Sequence, residues 1–282
     1  MKKSKLIAAV VAILALTFIL SACNTEPPVI NNYYFTYSEA DDYLIGIAAH
    51  AMKSTVRIET PSGGKTKVGT GVIIATDETN NRTYIVTNNH VVRKESKPNV
   101  FDLEVNPIKV FFPDNSAQGV YIEATATYII STNADPTSDL ALISIPYSSK
   151  HFAAVYSVEG LQYGQRVLAA GSGLAYDLSV CDGLVSNPSL ELKTDHFKAT
   201  VIQTSAPINS GNSGGGLFDM RGNLVGINTM KAVVSDKDDV TVFADNISFA
   251  IKMSQVKAYV NEYNLTQISK KIIMTAYVAP TE

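Results

Sequence analysis

Ile208-Asn209-Ser210-Gly211-Asn212-Ser213-Gly214-Gly215 is the most informative stretch of this chain. Glycines on both sides of Ser213 let the backbone turn tightly and aim its N–H groups inward. Two of those groups, on Gly211 and Ser213, can hold a developing oxyanion beside the Ser213 hydroxyl. Taken alone, the same residues also suit a glycine-rich hairpin. The segments upstream bear on the choice. Thr87-Asn88-Asn89-His90-Val91-Val92 closes the apolar run Tyr84-Ile85-Val86 with a histidine, and Ser138-Asp139-Leu140-Ala141-Leu142 opens another run with an aspartate. A serine hydroxyl is a weak nucleophile that needs a base, and the base needs an anion to set its tautomer. His90, Asp139 and Ser213 supply these groups in that chain order.

The order His, Asp, Ser is that of the chymotrypsin fold and differs from subtilisin and the α/β-hydrolases. The surrounding pattern agrees. Short β-type runs are predicted at Thr55–Glu59, Val68–Ala75, Thr83–Thr87, Ile108–Phe112, Tyr121–Ile130 and Leu140–Ile145. A second series covers Arg166–Ala170, Ser179–Val185, Thr200–Thr204, Gly215–Phe218, Leu224–Met230 and Ile247–Ile251. Turn residues separate them, among them Pro61-Ser62-Gly63-Gly64 and Pro113-Asp114-Asn115. Many short strands with no helix between them argue for antiparallel barrels rather than βαβ units. The expected fold is all-β, with two antiparallel six-stranded barrels at about 53–146 and 155–252. A helix from Ser38 presents Tyr43, Leu44, Ile47, Ala48 and Ala51 on one face, and a last helix runs from Ser254 to Glu262. Arg93 to Pro107 reads as a long loop.

Composition sets outer limits. The 282 residues are 46% hydrophobic and 17% charged, which is globular rather than disordered. A net charge of −3 excludes a general electrostatic grip on nucleic acid. Lys2, Lys3 and Lys5 precede the apolar run Leu6–Leu20, which is too short for a helix that spans a bilayer and suits an export signal over residues 1–22. A short uncleaved anchor is the alternative. The run ends in Leu20-Ser21-Ala22-Cys23, which resembles the bacterial lipobox. That resemblance implies a lipid on Cys23 and an anchor facing the extracytoplasmic side of the cell membrane or outer membrane. The other reading makes Cys23 incidental to an ordinary signal peptide. Residues 23–40 read as a tether with an aromatic cluster, Tyr33, Tyr34, Phe35 and Tyr37. Cys181 then has no disulfide partner and is expected to be a small buried hydrophobe. His50, His151 and His196 lack metal-ligand spacing, and Asp236, Asp238 and Asp239 read as a solvated loop rather than a calcium site. No metal and no cofactor is called for.

Together the segments resemble the protease domain of the HtrA (Deg) family of trypsin-like serine proteases. TNNHVV and SDLAL match its His and Asp motifs, INSGNSGG its serine motif, and Gly69–Ile74, Gly222–Thr229 and Ser248–Lys252 its GSGVII, GEVIGINT and GFAIP segments. The match runs over about Ile47 to Glu262, within a domain read as 41–264. The resemblance implies Ser213 as nucleophile, His90 as general base and acid, Asp139 as orienting carboxylate, and an oxyanion hole over Gly211, Asn212 and Ser213. It implies substrate contacts at Thr229, Met230 and Lys231 on one strand. Pro207, Ile208, Phe249, Ala250 and Ile251 would close the first specificity pocket. With no carboxylate there, small or medium aliphatic residues before the cut are expected. Asn212 replaces the Asp with which digestive proteases capture a new N-terminus. Gly216 and Lys252 stand where relatives have Pro. Residues 265–282 are expected to be a tail, too few for the PDZ domain of HtrA proteins, and the aromatic cluster sits where the family often builds a trimer. Polypeptides are the expected substrates. A protein on this fold that only binds peptides, or an esterase, is the competing reading.

Overall fold

The computed structural model describes residues 39–97, 100–104, 107–113, 121–129, 136–193, 197–235, 241–266 and 272–278. The expectations for the export signal, Cys23, Ser38 and the aromatic cluster lie outside these residues. So do those for His196 and for Asp236, Asp238 and Asp239. Met1–Asp42 forms a unit of its own, of which only 39–42 are described.

In chain order the elements begin with α1 (Glu39–Ser54), β1 (Thr55–Ser62), β2 (Lys65–Asp77), β3 (Arg82–Asn88) and the single turn α2 (Asn89–Val92). They continue with β4 (Arg93–Lys97), β5 (Val100–Glu104), β6 (Ile108–Pro113), β7 (Tyr121–Ile129) and β8 (Leu140–Ile145). The second half holds β9 (Arg166–Gly171), β10 (Ser179–Lys193), β11 (Lys198–Thr204), β12 (Gly216–Asp219), β13 (Leu224–Ser235), β14 (Thr241–Lys252) and α3 (Met253–Thr266). Two closed barrels result, in the orders β1-β2-β3-β8-β7-β6 and β10-β11-β14-β13-β12-β9. Every pairing within them is antiparallel. The all-β, two-barrel expectation holds.

The period-two alternation of strands sorts side chains into separate cores. Val56, Ile58, Ile73, Ile85, Val110 and Ile143 fill the first barrel. Val167, Val185, Ile202, Leu217 and Ala250 fill the second. Their neighbours on the same strands, Val72, Ile74, Val86 and Leu142 against Leu168, Phe218, Ile227 and Ile251, form a third core between the barrels. Ile47 and Ala51 of α1 and Val256 and Val260 of α3 close it. Each fully buried Ile, Leu or Phe is worth roughly 1.5–3 kcal/mol relative to exposure. The barrels are therefore held rigidly against one another along the line where the site forms.

Some expectations need correction. Arg93 to Pro107 is not a plain loop: β4 and β5 pair as a separate hairpin. The charged run Arg93-Lys94-Glu95-Ser96-Lys97 carries no apolar alternation from which to read a strand. β10, β13 and β14 run well past the runs that marked them, to Lys193, to Ser235 and back to Thr241, and β13 and β14 stay paired at Val233↔Phe243 and Val234↔Val242. Tyr43 lies 55% exposed instead of on the buried face of α1, although its hydroxyl donates to the Met220 carbonyl at 2.5 Å. In the tail, Tyr156 N donates to Thr275 O at 2.9 Å and Tyr277 N to Tyr156 O at 2.7 Å, so residues 275–277 run beside Tyr156.

Candidate active site

The site begins with a register. β3 pairs with β8 so that Asn88 lies opposite Leu140. The residue after one therefore meets the residue before the other. The Asp139 carbonyl accepts Asn89 N at 3.1 Å and Asn88 Nδ2 at 3.0 Å. α2 then lifts His90 over the Asp139 carboxylate. Its Nδ1 lies 2.8 Å from Oδ2 and 3.1 Å from Oδ1, and its backbone N–H donates to Oδ1 at 3.0 Å. Thr229 Oγ1 of β13 donates to Oδ2 at 2.9 Å, so the second barrel also grips the carboxylate. Asp139 holds φ at +52°, a left-handed conformation that Asp tolerates better than most residues. The strain is offset by the hydrogen bonds converging on it.

Ser213 comes from the opposite barrel. Its hydroxyl donates to the Thr229 carbonyl at 3.1 Å, and its own carbonyl accepts Thr70 N at 2.9 Å. Thr229 thus touches Asp139 with its side chain and Ser213 with its backbone. Gly214 N donates to Asn228 O, and Asn228 N to Gly215 O, both at 2.8 Å. Gly214 has φ +86°, and a Cβ there would lie 2.0 Å from the Thr70 carbonyl oxygen, so no other residue fits. Gly211 has φ +96° at the third position of a turn closed by Asn212 N on Asn209 O at 3.0 Å. A type II turn places glycine there for this reason.

Among the described residues, the N–H groups of Gly211 and Ser213 make no hydrogen bond to protein. They stay available as paired donors. The Asn212 N–H does not, because it closes the turn; this corrects its inclusion among oxyanion donors. Asn212 is instead packed in, 6% exposed, its Nδ2 lying 3.4 Å from the Pro207 carbonyl.

The expected pocket residues sort differently from one another. Pro207 is exposed. Ile208 and Ala250 face the second barrel's interior, Phe249 and Ile251 the core between the barrels, and none exceeds 8% exposure. They brace the site from behind. Met230 is half-buried against the same inter-barrel core. Lys231 follows it on β13, opposite Ser248 of β14. Ser248, whose Oγ accepts Ile208 N at 3.3 Å, was not singled out from sequence.

Nor was Thr70. Its Oγ1 donates to Gly211 O at 2.6 Å and accepts Ser172 N at 2.9 Å, and its carbonyl accepts Thr87 Oγ1 at 2.6 Å. One buried threonine ties β2, β3, the turn before Ser213 and the loop after β9 together. The only signal for it was a hydroxyl inside an apolar strand. Cys181, expected to be buried, is half-buried, its Sγ 3.1 Å from the Pro207 carbonyl. Burial, with Asp182 adding to it, pushes its thiol up to about 11. A cavity of about 510 Å³, lined by Ser157, Glu159–Gln165, Asp219, Arg221 and Val225, shares no residue with this cluster.

Two antiparallel barrels with an imidazole–carboxylate pair on one and a glycine-framed serine on the other define a serine-peptidase architecture. Residues 69–227 match the trypsin-like peptidase domain, and the chain belongs to that family. It is 34% identical over 198 residues to the serine protease Do-like HtrA of Lactobacillus helveticus, covering 69% of this chain and 42% of that protein. It is 33% identical over 224 residues to the serine protease PepD of Mycobacterium tuberculosis, covering 77% and 45%. The chain thus spans less than half the length of these curated relatives. The crystal structure of Deg5 superposes with TM-score 0.58 at 26% identity, covering 78% of this chain and 93% of that one. The HtrA-type protease AlgW with tripeptide superposes with TM-score 0.61 at 25% identity, covering 80% and 65%.

Proposed function

We propose that the protein is a serine endopeptidase that hydrolyses exposed or misfolded polypeptide segments through an acyl-enzyme. One observation carries the reading: Thr229 joins the His90–Asp139 pair to Ser213, its Oγ1 on the carboxylate at 2.9 Å and its carbonyl under the serine hydroxyl at 3.1 Å. The charge partner and the nucleophile share one anchor.

The chemistry follows from the groups. In the reaction the Ser213 hydroxyl exchanges its hydrogen bond to the Thr229 carbonyl for one to His90 Nε2. Ser213 Oγ attacks the substrate carbonyl carbon while Nε2 takes its proton. Asp139, on Nδ1, keeps Nε2 free to accept and stabilises the imidazolium. The developing oxyanion is held by the Gly211 and Ser213 N–H groups. Collapse breaks the C–N bond, and the imidazolium gives its proton to the leaving amine. Water, deprotonated by His90, then hydrolyses the ester and restores Ser213. No step calls for a metal or a cofactor.

The acyl half of the substrate pairs with β13 at Thr229, Met230 and Lys231 by strand addition. Pro207 and the backbone braced by Ile208, Phe249, Ala250 and Ile251 limit the pocket to small or medium aliphatic side chains. Asn212 carries no charge to capture a new N-terminus, so no activating cleavage is needed. The lipid on Cys23 would hold the enzyme at a membrane, facing outward from the cytoplasm, in protein quality control, as a homotrimer built through Tyr33–Tyr37. Among the described residues no helix is long and apolar enough to cross a membrane. Labelling by a fluorophosphonate probe tests the core of this reading. Wild type is expected to label and Ser213→Ala not to; a folded wild type that stays unlabelled and cleaves nothing overturns it.

A further inference from the structure

Asp139 holds His90 from one side, and a second grip reaches it from the other. α2 is a single turn of four residues, closed by Arg93 N on Asn89 O, and Asn88 at its start makes no side-chain cap. A lone turn with one intrahelical bond does not hold its own shape, so its neighbours must. At its first end the Asp139 Oδ1 accepts His90 N at 3.0 Å.

At its other end the turn rests on β1 and β2. The register of those strands puts Thr60 opposite Lys67, so the two side chains stand as neighbours on one face. Thr60 Oγ1 donates to Val91 O at 3.1 Å, and Lys67 Nζ donates to His90 O. Cross-strand partners thus take successive carbonyls of α2. Gly69, two residues along on the same face, leaves the notch that Val91 fills: a Cβ there would lie 2.4 Å from Val91 Cγ1. His90 is therefore held at both of its backbone groups, the N–H by a carboxylate and the carbonyl by an ammonium. Hydrogen bonds with one ionised partner are about twice as strong as neutral ones. Thr60 and Gly69 are buried, whereas Lys67 is half-buried and brings its charge to this one carbonyl.

We propose that Lys67 is a positioning residue for the general base. By holding the His90 carbonyl it fixes the pitch of α2, and with it the direction in which Nε2 meets the Ser213 hydroxyl. Its action runs through His90, so every substrate should feel its loss alike. This inference rests on the endopeptidase reading, and the experiment separates the two.

Wild type, Lys67→Met and Lys67→Arg are compared as full chains in fluorophosphonate labelling, on a dye ester with no leaving peptide, and on a peptide. Met keeps an unbranched stem and removes the charge; Arg restores a cationic donor. Lys67→Met is expected to lower the labelling rate, and kcat on both substrates, by about tenfold with KM within about twofold, short of the roughly 10²-fold that a 1 Å misplacement can cost. Lys67→Arg is expected to recover most of that loss, with thermal midpoints agreeing within about 2 °C. Should Lys67→Met not fold, Lys67→Gln, which also lacks the charge, is read in its place. Undiminished labelling and kcat in the uncharged variant, a loss confined to the peptide or to KM, or an equal loss in Lys67→Arg overturns the inference alone. If wild type neither labels nor turns over either substrate, the endopeptidase reading fails and this inference with it.

Discussion

The two barrels contribute to the site in different currencies. The first supplies side-chain chemistry: His90 and Asp139 stand at adjoining ends of β3 and β8, and the register of those strands sets their contact. The second supplies backbone conformation: Ser213 sits in a turn whose shape depends on Gly211 at φ +96° and Gly214 at φ +86°. The first half is therefore vulnerable to loss of a functional group, the second to loss of a dihedral angle. Thr70 and Thr229 cross between the halves, and each holds a group in the other barrel.

The harshest break in this comparison removes the groups proposed to react. Ser213→Ala or His90→Ala is expected to lower kcat by at least about 10⁴-fold, with the double variant scarcely worse, since such residues act as a unit. Steady-state kinetics on one peptide check this; additive losses would show that the halves do not act together. Next comes the backbone half. Gly211→Ala puts a Cβ on a left-handed residue and is expected to displace its N–H, costing about 10²-fold in kcat with KM little changed. An unchanged kcat would mean that the turn does not hold the oxyanion. Thr229→Val removes the hydroxyl on the Asp139 carboxylate while keeping the backbone carbonyl. A loss of roughly tenfold in kcat is expected, together with a shifted acid limb in the pH–rate profile, which a purely structural role would leave in place.

Smaller effects come from outside the site. Burial holds His50, with Lys53 adding to it, and His151 below the usual histidine value of 6.5. Just below that value the folded protein therefore binds fewer protons at these two residues than the unfolded chain does. Their contribution to stability is therefore fully present above about 6.5 and is lost as pH falls below it. The thermal midpoint should drop between pH 7.5 and 5, and less so in a His50→Gln/His151→Gln double variant; parallel curves would refute this. Smallest of all, Cys181, with its thiol raised to about 11, should resist iodoacetamide at pH 8 in the folded protein and react once it is unfolded. Peptide mapping reads this directly.

Much of the architecture was legible because strand and turn preferences act over a few residues. Leu140–Ile145 matched its predicted bounds, and most other strands were found within a residue or two at one end. Where sequence turned polar, at Arg93–Lys97 and just beyond Val185, side-chain pattern no longer reported pairing that backbone groups carry on their own; Lys231 and Asp245-Asn246 interrupt the apolar runs of β13 and β14, which resume at Val233-Val234 and Val242-Phe243. His90, Asp139 and Ser213 were legible as motifs, and so were Gly211 and Gly214, whose positive φ needs glycine. Thr70 and Thr229 were not legible as bridges, because a lone hydroxyl in a strand looks the same whether it faces a neighbour or a carboxylate.

By itself the sequence determined which residue types were present for the chemistry, in what chain order, and on which strands and turns, since these are local consequences of alternation and backbone freedom. Only the tertiary structure decided that the Asp139 carboxylate lies under an imidazole 49 residues away and a threonine 90 residues away. It alone decided that Ile208, Phe249, Ala250 and Ile251 face cores, and that Asn212 gives its N–H to a turn. Those outcomes depend on strand register and barrel packing, which arise from the whole buried surface at once and leave no mark in any single stretch of chain.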